Sequence, residues 1–258
     1  MLLLGIDTSA KKGILCLGEK EKIIIQKILP PLSSSQQLLL SLDVLIKERE
    51  MKIKDLEGIV VILGPGSFTG LRIGLSLAKS LAFVLGIPLV GVPTFDLWTA
   101  SVSTRGIICP LFKAYGNRFY AAFYKKDERK TLRESEIFFS SREEIKHEIR
   151  ERFPRQKITF LMLGEYENLS SEARLAENFS FFFLEETSLL KTLLKIGVKK
   201  IKSKKVDDIF TLVPLYISSP AIRNGNWTGR YKEVRKREGR FAERYKDSPN
   251  EKRGYSRS

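Results

Sequence analysis

The stretch IVVILGPGSFTGLRIGLSLAKSLAFVLGIPLVGV, residues 59–92, decides the fold of this chain. Its first five apolar residues predict a buried strand, and the Gly-Pro-Gly at 64–66 ends that strand in a turn. A helix-compatible segment runs on to about residue 86, and a further strand follows at 88–92. A strand that leads through a Gly-rich turn into a helix is typical of an anion site. The glycine spacing, however, matches neither the Walker loop nor the dinucleotide fingerprint.

Weaker patterns on both sides of this stretch predict the rest of an α/β protein. Residues 2–29 read as three short strands, and a Ser-capped helix follows at 34–50. For the second half we predict a hairpin of strands 106–113 and 118–125, strands near 136–139, 157–163 and 179–184, and helices at 141–153 and 187–201. Beyond residue 224 the chain loses its apolar periodicity, which predicts a basic, disordered tail.

Composition places the chain among globular proteins. It has 258 residues, of which 43% are hydrophobic, and no run of eighteen uncharged apolar residues indicates a membrane span. The first residues lack the basic region of a signal peptide, so we expect a cytoplasmic location. Two cysteines, Cys16 and Cys109, lie in apolar, strand-like runs and are expected to be buried and reduced.

The positive charge is unevenly distributed. The net charge is +15, and residues 221–258 hold 12 Lys or Arg against 5 Asp or Glu, which is +7 in the last 38 residues. Aromatic residues such as Trp227 and Tyr231 alternate with the bases there. This mixture suits loop or single-stranded RNA, but solvated basic tails are common, and we slightly favour a solvated tail.

Four motifs together identify the family that the chain resembles. They are LLLGIDTSAKKGILCL at 2–17, SSSQQLLLSLDVLIKE at 33–48, GPGSFTGLRIG at 64–74 and TLVPLYISSPA at 211–221. In order and spacing they resemble the bacterial threonylcarbamoyladenosine biosynthesis family TsaB, also called YeaZ, over roughly residues 1–223. The resemblance implies a two-lobed, actin-like or sugar-kinase-like α/β fold with a degraded second lobe. We therefore expect an N-terminal lobe at 1–100 with dimerisation helices, a smaller C-terminal lobe at 101–223 and a basic tail at 224–258.

The resemblance also implies a function without catalysis. TsaB proteins support TsaD, which transfers a threonylcarbamoyl group to the adenosine next to the anticodon of tRNAs that read A-starting codons. The implied partners are TsaD in a heterodimer, TsaE in a ternary assembly, a second copy when TsaD is absent, and tRNA through the complex. No cofactor and no membrane are expected. The catalytic relative holds a metal through two histidines, whereas this chain has one histidine, His147, and we predict neither a catalytic nor a metal site.

The two long helices are the expected binding surface. At about 100° per residue the apolar residues of segment 71–85 cover roughly twice the stripe that a one-sided surface helix needs. This width indicates two packing surfaces or a helix buried in its own domain. In the family these helices form a shared bundle with TsaD, so the predicted partner-binding residues are Leu40, Val44, Thr69, Leu71, Arg72, Leu75, Ala78, Lys79 and Ala82.

Two other functions stay open. Actin-type ATPases place an acid on the first strand, which would give a weak nucleotide contact at Asp7, Thr8, Ser9, Gly64 and Gly66. Asp7 lacks a following glycine, however, and we favour an Asx-type bond that caps its own turn. The third function is RNA binding through the basic tail.

Overall fold

The N-terminal half of the chain forms a five-stranded sheet in the order β3-β2-β1-β4-β5. The computed structural model describes residues 1–31, 34–164 and 179–217. The strands are β1 (Leu2–Asp7), β2 (Ile14–Glu19), β3 (Lys22–Ile28), β4 (Gly58–Gly64) and β5 (Leu89–Pro93). The first three pair antiparallel, and β4 then pairs parallel with both β1 and β5. This switch of direction brings the carboxyl ends of β1 and β4 to the same edge of the sheet.

Helices cover both faces of this sheet. Helices α1 (Ser35–Lys47) and α2 (Phe68–Leu85) share one apolar cluster with β1, β2 and β4, and a short 3-10 helix (Ile53–Asp55) links α1 to β4. Helices α3 (Thr94–Ser101) and α5 (Glu186–Lys202) belong to the cluster on the opposite face. The sheet residues that alternate along β4 divide between the two clusters, as expected of a strand buried on both sides.

A second sheet follows, in the order β10-β7-β6-β11-β12. Its elements are β6 (Gly106–Lys113), β7 (Arg118–Ala121), β8 (Tyr124–Lys126), β9 (Thr131–Arg133), β10 (Phe138–Ser141), α4 (Arg142–Arg152), β11 (Ile158–Leu163) and β12 (Phe179–Leu184). Strand β8 pairs with β6 and β9. The two sheets agree with the predicted α/β, actin-like fold class.

One apolar cluster joins the two sheets. It contains Leu3 and Val60 of the first sheet, Ile108 and Leu161 of the second, and Trp98 of α3 between them. Both sheets lie in one unit, Met1–Ser219. The limits predicted at 100/101 and 223/224 stay predictions, and the tail 224–258 lies outside the described residues.

Three local predictions need correction. The predicted strand 118–125 is two strands, β7 and β8, because the Phe123 amide donates to Ser135 Oγ at 2.9 Å rather than to β6. Helix α3 was not predicted, and neither was β9. The signal for α3 is short, since its eight residues give only two turns of apolar periodicity.

The cysteine and membrane predictions have clear outcomes. Cys16 and Cys109 are free and buried, as predicted, and burial raises the pKa of the Cys16 thiol to about 12. By length and composition alone, α2 is apolar enough to cross a membrane, with a mean hydropathy of 1.4. In this structure α2 packs lengthwise on the first sheet, and its sheet-facing side chains are buried.

Candidate functional site

The turn after β1 is closed by the side chain of Asp7. Asp7 Oδ1 accepts hydrogen bonds from the Ser9 amide at 2.9 Å and from Ser9 Oγ at 2.7 Å. This confirms the predicted Asx-type turn. Burial raises the pKa of the Asp7 carboxyl, while the two bonds from Ser9 oppose that rise. The carboxyl group is therefore engaged within its own hairpin.

The Gly-Pro-Gly loop packs directly on this turn. Gly64 has φ +112°, a conformation that favours glycine, and the Ser67 amide donates to the Ser9 carbonyl at 2.6 Å. A β-carbon on Gly66 would lie 2.6 Å from the same carbonyl oxygen, and one on Gly70 would clash with the Thr8 carbonyl oxygen. These glycines are therefore required by the close approach of α2 to the hairpin, which accounts for the motif without a ligand.

A cleft of about 480 Å³ opens where the hairpin meets the first turns of α1 and α2. Thr8 and Thr69 line it, together with Lys11 and the two helix caps, Ser34 and Ser67. The cleft thus brings together Thr8, which was predicted to contact a nucleotide, and Thr69, which was predicted to bind a partner. Asp7, Gly64 and Gly66 are not among its lining residues.

Four of the predicted partner-binding side chains pack inside the chain instead. Leu71, Leu75, Ala78 and Ala82 are each at most 4% exposed. They recur every three or four residues, which places them on the side of α2 that faces the sheet. The structure assigns these four positions to the core, and a charge introduced at any of them would oppose folding before it could affect a partner.

Lys79 is held by a segment from much later in the chain. Residues 207–217, here called the strap, follow α5 and lie along one flank of α2. The Lys79 ammonium group donates to the carbonyl oxygens of Phe210 at 3.4 Å and Leu212 at 3.1 Å. The strap is also fixed to the first sheet, because its Leu215 amide donates to the Leu63 carbonyl at 2.8 Å.

Arg72 is held by the other end of the strap. Its Nε donates to the Tyr216 hydroxyl at 2.8 Å. The guanidinium carbon lies 3.9 Å from the centroid of the Phe68 ring, and that ring packs against Tyr216 with centroids 5.3 Å apart. Arg72 and Lys79 were predicted to contact a partner, and in the structure both bind the strap. The end of the family motif, residues 218–221, lies outside the described residues.

The outward side of the helix pair carries exposed apolar residues. Leu40 of α1 is 56% exposed and Val84 of α2 is 78% exposed, whereas Val44, Ile73 and Leu77 are half-buried. At about 100° per residue, Ile73 and Val84 lie opposite the core stripe of α2. We call these five residues the two-helix face. Thr69 is exposed at the N-terminal end of α2.

Sequence reasoning found part of this face and missed the rest. It identified Leu40 and Val44 because both fall outside the core stripe of α1. It did not select Ile73, Leu77 or Val84, although their position opposite Leu71 and Leu75 was readable from the helical period. The strap gave no local signal, since the residues that it binds are far away in sequence.

Comparison with known proteins identifies the family. The family model for TsaD, tRNA N6-adenosine threonylcarbamoyltransferase, matches residues 21–212. The tRNA threonylcarbamoyladenosine biosynthesis protein TsaB of Bacillus subtilis is 35% identical over 129 residues, which cover 48% of this chain and 56% of that protein. Its Escherichia coli counterpart is 28% identical over 153 residues, 57% of this chain and 65% of that protein. The chain thus matches less than two thirds of the length of these relatives.

The solved structures agree on the fold. YeaZ from Pseudomonas aeruginosa superposes with a TM-score of 0.64, at 17% identity, over 83% of this chain and 99% of that one. At this identity the likeness establishes the fold alone. Family membership rests instead on the family model over residues 21–212 and on the two TsaB relatives: the chain belongs to the family of that model and is a member of the TsaB (YeaZ) family.

Proposed function

We propose that this protein acts in tRNA threonylcarbamoyladenosine biosynthesis as the non-catalytic partner of a TsaD-type threonylcarbamoyltransferase. Its relatives are named as biosynthesis proteins of this pathway, and the matching family model is that of the transferase. The proposal places the protein in the cytoplasm, in a heterodimer with the transferase that TsaE joins as a third component and through which tRNA is contacted. Without the transferase, the same surface would pair with a second copy.

The two-helix face is the observation that carries this proposal. Val84, in the last turn of α2, is an aliphatic residue that is 78% exposed. Leu40 adds a second exposed aliphatic group on the neighbouring helix. Exposed apolar groups on two adjacent helices support a protein–protein interface there. The partner would complete a bundle in which α1 and α2 supply two of the helices.

The inactive role rests on residue types. A transferase of this family that holds its metal through two histidines needs both, and this chain contains only His147. That residue is exposed on α4, remote in sequence from the cleft at the first hairpin. The protein would therefore act by binding and orienting the transferase rather than by supplying reacting groups.

Charged substitutions on the two-helix face test this function. Leu40→Asp combined with Val84→Asp should abolish co-elution with the co-expressed cognate transferase in size-exclusion chromatography. Each buried unpaired carboxylate should weaken the complex by about 2 kcal/mol or more, roughly thirtyfold in dissociation constant. Both positions are exposed in the isolated chain, so folding should be retained, and circular dichroism checks this.

A matched control separates the interface from general charge effects. Val206→Asp introduces the same change at another exposed valine, in the loop after α5. This variant should co-elute like the unmodified protein. Persistent co-elution of the folded double variant would refute the two-helix face as the docking surface.

The alternative functions stay predictions. An actin-type ATPase would bind nucleotide and magnesium at Asp7, Thr8, Ser9, Gly64 and Gly66, and titration calorimetry with ADP and ATP tests this. A tail that binds RNA falls on residues 224–258, outside the described part of the chain. Truncation after Arg223 would then weaken tRNA binding at low salt and leave the association with the transferase unchanged.

A further inference from the structure

The solvent-facing side of α5 carries a row of lysines. At about 100° per residue its four exposed lysines fall within an arc of about 80°, over about 17 Å of helix. Two further exposed lysines follow in sequence just beyond the end of the helix. Together these six side chains, here called the lysine row, are Lys191, Lys195, Lys199, Lys202, Lys204 and Lys205.

No acidic residue interrupts this run of lysines in the sequence. Residues 187–206 contain seven lysines and no Asp or Glu. The seventh, Lys200, turns inward and donates to the Gly91 carbonyl at 3.0 Å. Within residues 1–31, 34–164 and 179–217, the lysine row forms no ion pair, whereas lysines elsewhere, such as Lys47 and Lys146, do.

Helix α4 shows that solvation alone does not require such a row. Its eleven residues hold four basic and four acidic side chains, including the pair of Lys146 with Glu143. The helix dipole favours cations in the last turn of α5, but Lys191 and Lys195 lie before that turn. A single-sign row along the whole exposed face indicates a polyanionic partner.

The chemistry of the row selects among polyanions. Lysine binds phosphate as a point charge, whereas protein interfaces favour Arg and aromatic residues and are depleted in Lys. A helix that lies on a membrane must turn apolar side chains to the lipid. The apolar residues of α5, such as Leu190, Leu193 and Val198, are buried in the core. These observations favour a nucleic-acid backbone over an acidic protein or a lipid surface.

We propose that the lysine row binds the phosphate backbone of RNA, independently of base sequence. The choice of RNA over DNA rests on the function proposed above. The row lies on the face of the first sheet opposite to α1 and α2, because α5 and the helix pair belong to different core clusters. RNA and the transferase would therefore occupy different sides of the protein.

The test measures binding of a labelled, unmodified tRNA transcript to the full chain by fluorescence anisotropy at several salt concentrations. The row variant replaces Lys191, Lys195, Lys199 and Lys202 with Gln. The control variant replaces Lys52, Lys54, Lys125 and Lys130 with Gln, all exposed and outside α5. Each set lowers the net charge of +15 by four. Glutamine is a good helix former, so α5 should persist, as circular dichroism would verify.

The row variant should bind on the order of tenfold more weakly, with a salt slope lower by up to about 3, because each lost phosphate contact removes roughly 0.7–0.9 from it. The control variant should change much less. Equal losses in the two variants, or an unchanged slope in the row variant, would overturn the proposal. So would row-dependent binding to phosphatidylserine vesicles without binding to tRNA.

Failure of this proposal is distinguishable from failure of the proposed function. The row variant should still co-elute with the transferase, since the two-helix face is unchanged. An unmodified chain that binds tRNA through the row but never co-elutes with the transferase would refute the partnership alone.

Discussion

Asp7 illustrates how one side chain can serve a turn in either protonation state. Both donors come from Ser9 and reach the same oxygen, Oδ1. An asparagine presents a similar oxygen and would close the turn equally well. The aspartate and asparagine side chains differ in charge. Burial raises the pKa of the Asp7 carboxyl because the ionised form loses its hydration.

Asp7→Asn should therefore stabilise the fold at neutral pH, with a gain that shrinks on acidification. The native pKa lies above the ordinary value of 3.8, so the native state binds more protons than the unfolded chain. The stability of the unmodified protein then falls as the pH rises from the unfolded pKa through the native one. Urea denaturation at acidic and neutral pH measures this.

Asp127→Asn is the matched control with the opposite sign. The pKa of the Asp127 carboxyl is lowered by hydrogen bonds from the Arg129 and Lys130 amides. Its contribution to stability is present above the unfolded pKa and is lost as the pH falls through the native one. The same pH trend in both variants would contradict the assignment for Asp7.

Local residue roles were predictable, and distant ones were not. The Asx-type turn and the buried cysteines both follow from neighbouring residues. The partners of Arg72 and Lys79 lie 144 and 133 positions away. No helical period encodes such a pairing, so both cations were assigned to a partner protein.

Among the secondary-structure elements, α2 shows most clearly what an apolar pattern leaves open. The apolar residues of α2 cover an arc too wide for one packing surface. In the structure the helix has three sides: the core stripe, the flank under the strap and the two-helix face. The sequence predicts the width of this apolar arc but not how the arc is divided among the three sides. The strap covers a flank that would otherwise have extended the docking surface.

Lys79→Met should loosen the strap selectively. Methionine keeps most of the apolar stem but removes the ammonium donors, so the two strap carbonyls lose their partner. We expect faster hydrogen exchange at the Leu212 and Leu215 amides and a loss of about 1 kcal/mol in unfolding free energy. Ser80→Ala, at the next and exposed position, should leave strap exchange unchanged. Equal protection in both variants would show that the sheet contacts alone fix the strap.

At the scale of the whole molecule, the two sheets share one core. Trp98 is 1% exposed in the cluster that contains both Val60 and Leu161. Tyr124 of β8 adds a polar link, since its hydroxyl donates to Asp96 of α3 at 2.7 Å. Neither sheet can open without exposing apolar surface that the other covers.

The two sheets should therefore unfold in one transition. In a Trp227→Phe variant the fluorescence of Trp98 alone reports the shared core. Its urea midpoint should coincide with that of far-UV circular dichroism. Separate midpoints would show that the sheets are independent folding units, as the predicted limit at 100/101 would allow.

The placement of α5 across the first sheet has a consequence for biosynthesis. A β-carbon added to Gly5 or Gly18 would lie against Leu193 or Leu194 of α5, and one added to Gly58 would lie against Ile201. The helix therefore packs directly on the backbone of the sheet at these glycines. A nascent chain that has emerged only through β5 therefore lacks the helix that seals one side of its sheet. That side stays open on the ribosome until α5 has been made, and over this interval we expect the N-terminal half to bind chaperones.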